Sequence, residues 1–250
     1  MDTVPYGSMP EKTLPPGQRA IEGFPRFGTH LHAPPPAVPS DPVIEIGGAV
    51  VEPISMSLAR LATLPRRELT ADLHCVAGWS ATALQWEGVA FATVYREVIE
   101  PVLAAGAPIT HVVFEGLDRY RSILQVEDAL RDDVLIAEHL DGRPLDGDHG
   151  APARLVSASQ YGFMSTKHLC RIEVHTAEPA GRLHPSRRIQ LWLELVKPHR
   201  RARVWKEERH RYLPALLVRP LYHRLIPTIK SLSARGSRSV GIHDDRGTRR

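Results

Sequence analysis

From Pro42 onward, apolar and polar positions alternate in short runs. Residues 43–51 read as a strand pair broken at Gly47-Gly48, 55–64 as a short helix capped by a serine, and 68–76, alternating toward Leu73 and Cys75, as a strand. A short strand is predicted at 86–91, a helix at 92–103, and a buried strand at 110–114 ended by Gly116. A helical turn follows at 126–131, then strands at 134–140, 154–157 and 168–175. The stretches 141–142 and 146–152 are turn-rich loops, where binding groups tend to sit. No internal repeat is visible.

Both flanks break this pattern. Residues 1–42 are proline-rich, with Pro34-Pro35-Pro36 followed by Pro39 and Pro42, and read as an extended arm on or beside the domain. Residues 43–196 form the expected domain. After Pro198 come Arg/Glu-rich helix formers, and the apolar positions of 212–232 are interrupted by Pro214, Pro220 and Pro227. Because each proline limits a continuous helix, 197–232 reads as short kinked basic helices packing on the domain. From about Ser233 the composition predicts a disordered basic tail.

With 250 residues, 42% apolar and 24% charged, the chain has the composition of a globular protein. No apolar run approaches the ~20 residues that span a bilayer, so a soluble chain without an integral membrane segment is expected. The opening Met1-Asp2-Thr3-Val4-Pro5 has no basic region followed by an apolar one, and the two cysteines lie in neither a CxxC nor a zinc-type spacing. Both point to the cytoplasm. The net charge of +4 hides an asymmetry: residues 1–196 hold 17 Lys+Arg against 24 Asp+Glu, a net of −7, and residues 197–250 hold 15 against 4, a net of +11.

Common cofactor and hydrolase motifs are absent: no GxGxxG after a strand, no GxxxxGK[ST], no HExxH and no GxSxG. The thirteen histidines are scattered, His30 and His32 being the only close pair. Four segments carry candidate chemistry. In Leu73-His74-Cys75-Val76-Ala77-Gly78-Trp79-Ser80, a thiol ends an apolar strand beside a glycine and a tryptophan. Adjacent strand residues face opposite ways, which argues against a Cys75–His74 dyad and leaves a buried structural cysteine or a single soft-metal ligand. Asp148-His149-Gly150-Ala151-Pro152-Ala153-Arg154 places an imidazole and a guanidinium in one tight loop, suited to a phosphate or to a surface salt bridge. Tyr161-Gly162-Phe163-Met164-Ser165-Thr166-Lys167 has the parts to hold an anion by backbone N–H and Lys, and Glu115-Gly116-Leu117-Asp118 offers a strand-end acid to a heterocycle.

In this order and spacing the four segments resemble the molybdopterin-binding domain of the sulfite oxidase family, including its bacterial single-domain members. The match covers roughly residues 20–196. Cys75, Val76, Trp79 and Ser80 match a Cys-Val-x-x-Trp-Ser motif, and Trp86-Glu87-Gly88-Val89 is also family-like. The resemblance implies an α+β fold of mixed sheets and short helices, a molybdenum–molybdopterin cofactor, and Cys75 as the one protein ligand to the metal. It also implies that His149 and Arg154, on a His-Gly-x-Pro-x-Arg element, hold the pterin and its phosphate, that Asp118 contacts the pterin, and that Ser165 and Lys167 complete the site. The arm segment from Phe24 to His30 is similar to the family's N-terminal cofactor-contacting piece, which adds Arg26 and His30. Cys170, inside an alternating strand, reads as core.

Two departures bear on substrate. Met164 stands where the family usually has Lys or Arg, and no counterpart is seen of the Arg-Asn-His sequence with which sulfite oxidases meet their anion. A less cationic pocket would disfavour sulfite. Only 54 residues follow Val196, too few for the family's immunoglobulin-like dimerisation domain. The expected function is two-electron oxygen-atom transfer on a small substrate such as a sulfoxide, with a separate electron-transfer protein as partner, since no CxxCH haem motif is present. The alternative is a catalytically degenerate cofactor-binding scaffold recruited through its basic C-terminal tail. A nucleic-acid partner is not expected, because the tail's aromatic residues fall at irregular intervals.

Overall fold

The computed structural model describes residues 13–27, 34–179 and 197–244. Its architecture is α+β: two mixed sheets with short helices between their strands. The first sheet contains β1 (Arg19–Ala20), β4 (Arg66–His74), β5 (Trp79–Ala90), β8 (Val134–Leu140), β9 (Arg143–Pro144) and β10 (Arg154–Ser157). The second runs in the order β3 (Ile54–Ser57), β2 (Val43–Gly48), β11 (Leu169–His175), β6 (His111–Gly116), β7 (Arg121–Gln125). Pairing is antiparallel except for β1 with β5 and β2 with β11.

β8 shows why the first sheet reads as a continuous apolar run. Its alternate residues Val134 and Ile136 enter the main core, and Leu135 and Ala137 enter a second cluster around Trp79 and Trp86. β10 repeats this, with Leu155 in the main core and Val156 in the second cluster. Arg154, two residues from Val156, therefore shares the face of the second cluster. A buried cation enters an aromatic-rich layer by strand periodicity.

Several elements differ from the sequence expectations. Residues 43–51 form one strand ending at Gly48, with an isolated bridge from Val50 to Leu103. The serine cap is real, Ser57 Oγ accepting from Arg60 N–H at 3.2 Å, but β3 occupies the residues just before it and the helix is only Leu58–Ala62. β5 starts seven residues earlier than expected because Trp79, Ser80 and Ala81 are buried on both faces and show no alternation. The helix after β5 widens to π geometry at Tyr95–Ile99 and tightens to 3-10 at Glu100–Val102, where Pro101 lacks the N–H an α-turn needs. β7 was not expected at all.

The largest correction is C-terminal. In place of short kinked helices and a tail disordered from Ser233, one helix runs over Ala215–Asp244 with Pro220 and Pro227 inside it. Both prolines are exposed, so water can take the place of the missing donors. The helix half-buries Tyr222 and Ile226 against the second cluster. No helix of the described residues is long and apolar enough to cross a membrane. Of the arm, Arg19 and Ala20 lie on the first sheet, paired through β1 with Trp79 and Ser80.

Candidate cofactor-binding site

β4 and β5 form a hairpin, and Cys75 opens its turn instead of ending a strand. Cys75 N–H donates to Trp79 O at 2.8 Å and Gly78 N–H to Cys75 O at 2.9 Å. Gly78 has φ +97°, and a Cβ there would stand 2.6 Å from His223 Nε2, so the turn needs glycine. Gln18 of the arm donates through Nε2 to Cys75 O at 3.1 Å and accepts from Ser80 Oγ at 3.0 Å. His74 Nδ1 meets Ser80 Oγ at 2.7 Å, so the imidazole is engaged away from the thiol and no dyad forms. From the C-terminal side the buried Arg209 donates to Val76 O, lies 5.1 Å from the Tyr161 ring centre and pairs with Glu207 at 3.7 Å. Glu207 in turn pairs with Arg219 of the long helix.

The Cys75 thiol is buried and accepts only the Ala77 N–H, at 3.4 Å. Burial pushes its pKa up to about 12, against the pull of that N–H and of the Arg209 and Lys167 charges. At neutral pH it is protonated and a poor nucleophile. A soft metal, which binds the thiolate, would displace that proton.

Cys75 borders a cavity of about 420 Å³, and the structure brings Arg26, Asp118, Arg154, Ser165 and Lys167 to the same walls. Asp118 Oδ1 accepts the Tyr120 N–H at 3.0 Å. The Ser165 hydroxyl accepts Ser157 N–H at 3.1 Å. His149 is placed differently: it is not a lining residue. Its Nε2 meets Phe24 O and its Nδ1 meets Asp146 Oδ1, both at 2.8 Å, so it braces the arm. His30 lies outside the described residues, as do His32 and the end of the domain at 196. Met164 lies in the main core and borders a smaller neighbouring cavity, so its lack of charge does not lower the charge of the Cys75 cavity. Cys170 is only half-buried although it lies on β11, the central strand of the second sheet, and its Sγ donates to Glu115 O at 3.5 Å, so it is not a core residue.

Arg154 is the unusual group. It is 1% exposed and donates to three backbone carbonyls: His149 at 2.9 Å, Ser165 at 3.3 Å and Leu155 at 3.3 Å. Its guanidinium lies 5.1 Å from the Trp86 ring centre and 5.9 Å from that of Phe24. Burial lowers its pKa to about 9, with no carboxylate acting to raise it. Lys167 is alike: burial, then the Arg154 and Arg26 charges, lower its pKa to about 7, with Asp148 and Asp146 pulling weakly the other way. Gly150, at φ +108°, sits between their stems, since a Cβ there would lie 3.0 Å from Lys167 Cβ and 3.2 Å from Arg154 Cβ. Buried cations without a full countercharge are arranged for an anion.

The residues present fit a phosphate-bearing metal cofactor. Among the described residues no three His, Cys, Asp or Glu side chains converge on an ion, so a metal at Cys75 would take its other ligands from a bound group. Trp79 also borders the cavity, and its Nε1–H has no hydrogen-bond partner among the described residues. Sequence reasoning named Phe24 only as the start of the arm segment and did not single out Gln18 or Arg209. The arm's aromatics were a readable signal, but the contacts of Gln18 and Arg209 with the Cys75 turn span 57 and 133 residues and leave no local pattern.

Comparison with known proteins gives the family. Residues 31–183 match the family described as "Oxidoreductase molybdopterin binding domain". The chain is 31% identical over 185 residues to the protein-methionine-sulfoxide reductase catalytic subunit MsrP of Xanthomonas axonopodis pv. citri, covering 66% of this chain and 56% of that one. It is 30% identical over 205 residues to the sulfite oxidase of Gallus gallus, covering 69% and 44%. The sulfane dehydrogenase SoxCD from Paracoccus pantotrophus superposes with a TM-score of 0.48 at 20% identity, over 61% of this chain and 40% of that one. The chain thus spans about half the length of the curated relatives it matches. A family match over well more than half of the chain, enclosing the cysteine turn and the cationic wall, makes this protein a member of the molybdopterin-binding oxidoreductase family.

Proposed function

We propose that the chain is a molybdenum–molybdopterin oxidoreductase that performs two-electron oxygen-atom transfer on a small sulfoxide. The observation that carries this reading is the buried, carboxylate-free Arg154 guanidinium on the same cavity as the Cys75 thiol. Arg154 and Lys167 would hold the phosphate, Asp118 and the backbone at Ser165 the pterin, and Cys75 the metal. Bound there, the cofactor supplies the two-electron redox chemistry. The protein supplies orientation and a dry wall: Phe27, Leu73, Val76 and Trp79 line the cavity and favour an organic sulfoxide over a strongly hydrated anion. The similarity to a protein-methionine-sulfoxide reductase subunit supports the same substrate class. A separate electron-transfer protein would deliver the electrons.

The test is to purify the chain from a molybdenum-replete host, measure molybdenum and released pterin, and assay sulfoxide reduction with an artificial electron donor. Near-equimolar metal and pterin with sulfoxide turnover is expected. Folded protein holding neither would sink the reading.

The cationic wall makes a separate prediction for cofactor-free protein. Bound anion favours the charged form of Lys167, so binding takes up a proton once the pH exceeds the empty site's pKa of about 7. Affinity for sulfate, whose own charge is constant, should therefore weaken as pH rises, by about tenfold per unit above that pKa. Calorimetric titration across that range checks it, and a flat profile would remove Lys167 from the anion site.

A further inference from the structure

Six of the eight large hydrophobic side chains exposed among the described residues fall in one stretch: Trp205, Tyr212, Leu216, Leu217, Leu221 and Leu225. On the C-terminal helix Leu217, Leu221 and Leu225 recur every four residues and are 73%, 60% and 40% exposed. They form one stripe. Val218, Tyr222 and Ile226, one residue further on, are half-buried, Tyr222 and Ile226 against the second cluster of the domain. The helix therefore has two apolar sides, of which the domain covers one. An uncovered patch of this kind marks an interaction surface.

Charge decides what covers it. Residues 212–250 hold eight Lys or Arg and two Asp, a net of +6. A second copy laid on the stripe would bring +6 against +6, whereas an anionic bilayer offers both opposite charge and an apolar interior. The helix is too polar to span a membrane, but in-plane helices need only one apolar side with cations near it, and exposed Trp and Tyr suit the headgroup layer. Arg224, exposed between Leu221 and Leu225 in sequence, supplies a cation within the stripe.

We propose that the C-terminal helix docks this protein on an anionic phospholipid bilayer, lying in its plane with Leu217, Leu221 and Leu225 at the acyl boundary and Arg224 among the headgroups. The inference does not depend on the cofactor reading. Trp205 and Tyr212, which precede the helix in sequence, are also exposed.

Flotation of the full chain with vesicles tests it, comparing equimolar phosphatidylglycerol and phosphatidylcholine with phosphatidylcholine alone. The protein is expected to float with the anionic vesicles and to bind the neutral ones about tenfold or more weakly. The triple variant Leu217→Ser, Leu221→Ser, Leu225→Ser should lose about tenfold or more of the anionic binding at an unchanged melting temperature, because these side chains touch solvent already. Arg224→Glu gives a second variant that leaves the stripe intact and should also weaken binding. Failure to float overturns the proposal, and so does flotation that the three serines leave unchanged, which would be charge adhesion alone. A concentration-dependent dimer that the serines abolish, without flotation, would assign the stripe to a second copy and likewise overturn it.

Discussion

Replacing Cys75 with serine is expected to abolish sulfoxide turnover while leaving the fold and most of the pterin in place. Serine keeps the shape of the turn, which is closed by the backbone bonds of residue 75 and Gly78, and its hydroxyl can accept the Ala77 N–H that meets Sγ. It cannot keep the ligand. A hydroxyl is harder than a thiolate and far less acidic, so the metal would lose its one protein donor. Losing only ~4 kcal/mol of barrier lowering corresponds to about a 10³-fold slower turnover. The measurements are turnover together with metal and pterin content, and pterin should persist because Arg154 and Lys167 are untouched. Full turnover in the variant would refute the ligand role. Cys170→Ala is the control and should leave turnover nearly unchanged, since Cys170 lies on β11 and does not border the cavity.

Arg154→Met should separate cofactor retention from stability. In the cofactor-free protein the guanidinium is a buried charge held only by carbonyls and aromatic rings. Removing it relieves a desolvation cost and leaves three carbonyls without that donor, two effects of opposite sign that should nearly cancel. Unfolding free energy is therefore expected to change by only about 1 kcal/mol. Cofactor retention should fall by about 100-fold, since charge-assisted bonds to a phosphate are roughly twice as strong as neutral ones, and of the other cations on the wall Lys167 has no fork and Arg26 lies 3.7 Å from the Asp148 carboxylate. Urea unfolding and pterin content after gel filtration read the two quantities. A variant that unfolds readily yet keeps its cofactor would make Arg154 structural.

Legibility followed the physics of each segment. β8 and β10 match the expected 134–140 and 154–157 because their apolar stretches, 134–137 and 155–156, lie between two buried faces and have few alternatives. The start of β5 was missed for the opposite reason: Trp79, Ser80 and Ala81 are buried on both faces without alternation, and the half-buried Thr82 and exposed Ala83 that follow read as turn or helix. The C-terminal prolines misled because their cost depends on whether water reaches the freed carbonyls, which composition does not reveal. At the site, the motifs located the side chains that face the cavity, since loop chemistry is local. His149 belonged to the same motif and turned to Phe24 instead, a choice made by an arm 125 residues away. Gln18 and Arg209 were invisible for the same reason of sequence distance.

The arm's strand pairing is only two residues long, with Arg19 N–H on Gly78 O and Ile21 N–H on Ser80 O, each at 3.0 Å, and its other anchors are side-chain contacts: Gln18 on the Cys75 turn, Phe24 against His149 and Arg26 beside Asp148. Yet the arm carries Phe24, Arg26, Phe27, Pro34 and Pro36 to the cavity wall. Anchors of this kind can open as a local event in which the first sheet loses only its two-residue edge strand β1 and the second sheet stays intact. Assembly then has an order built into it: the body can fold first, a bulky prosthetic group can enter sideways, and the arm can close last.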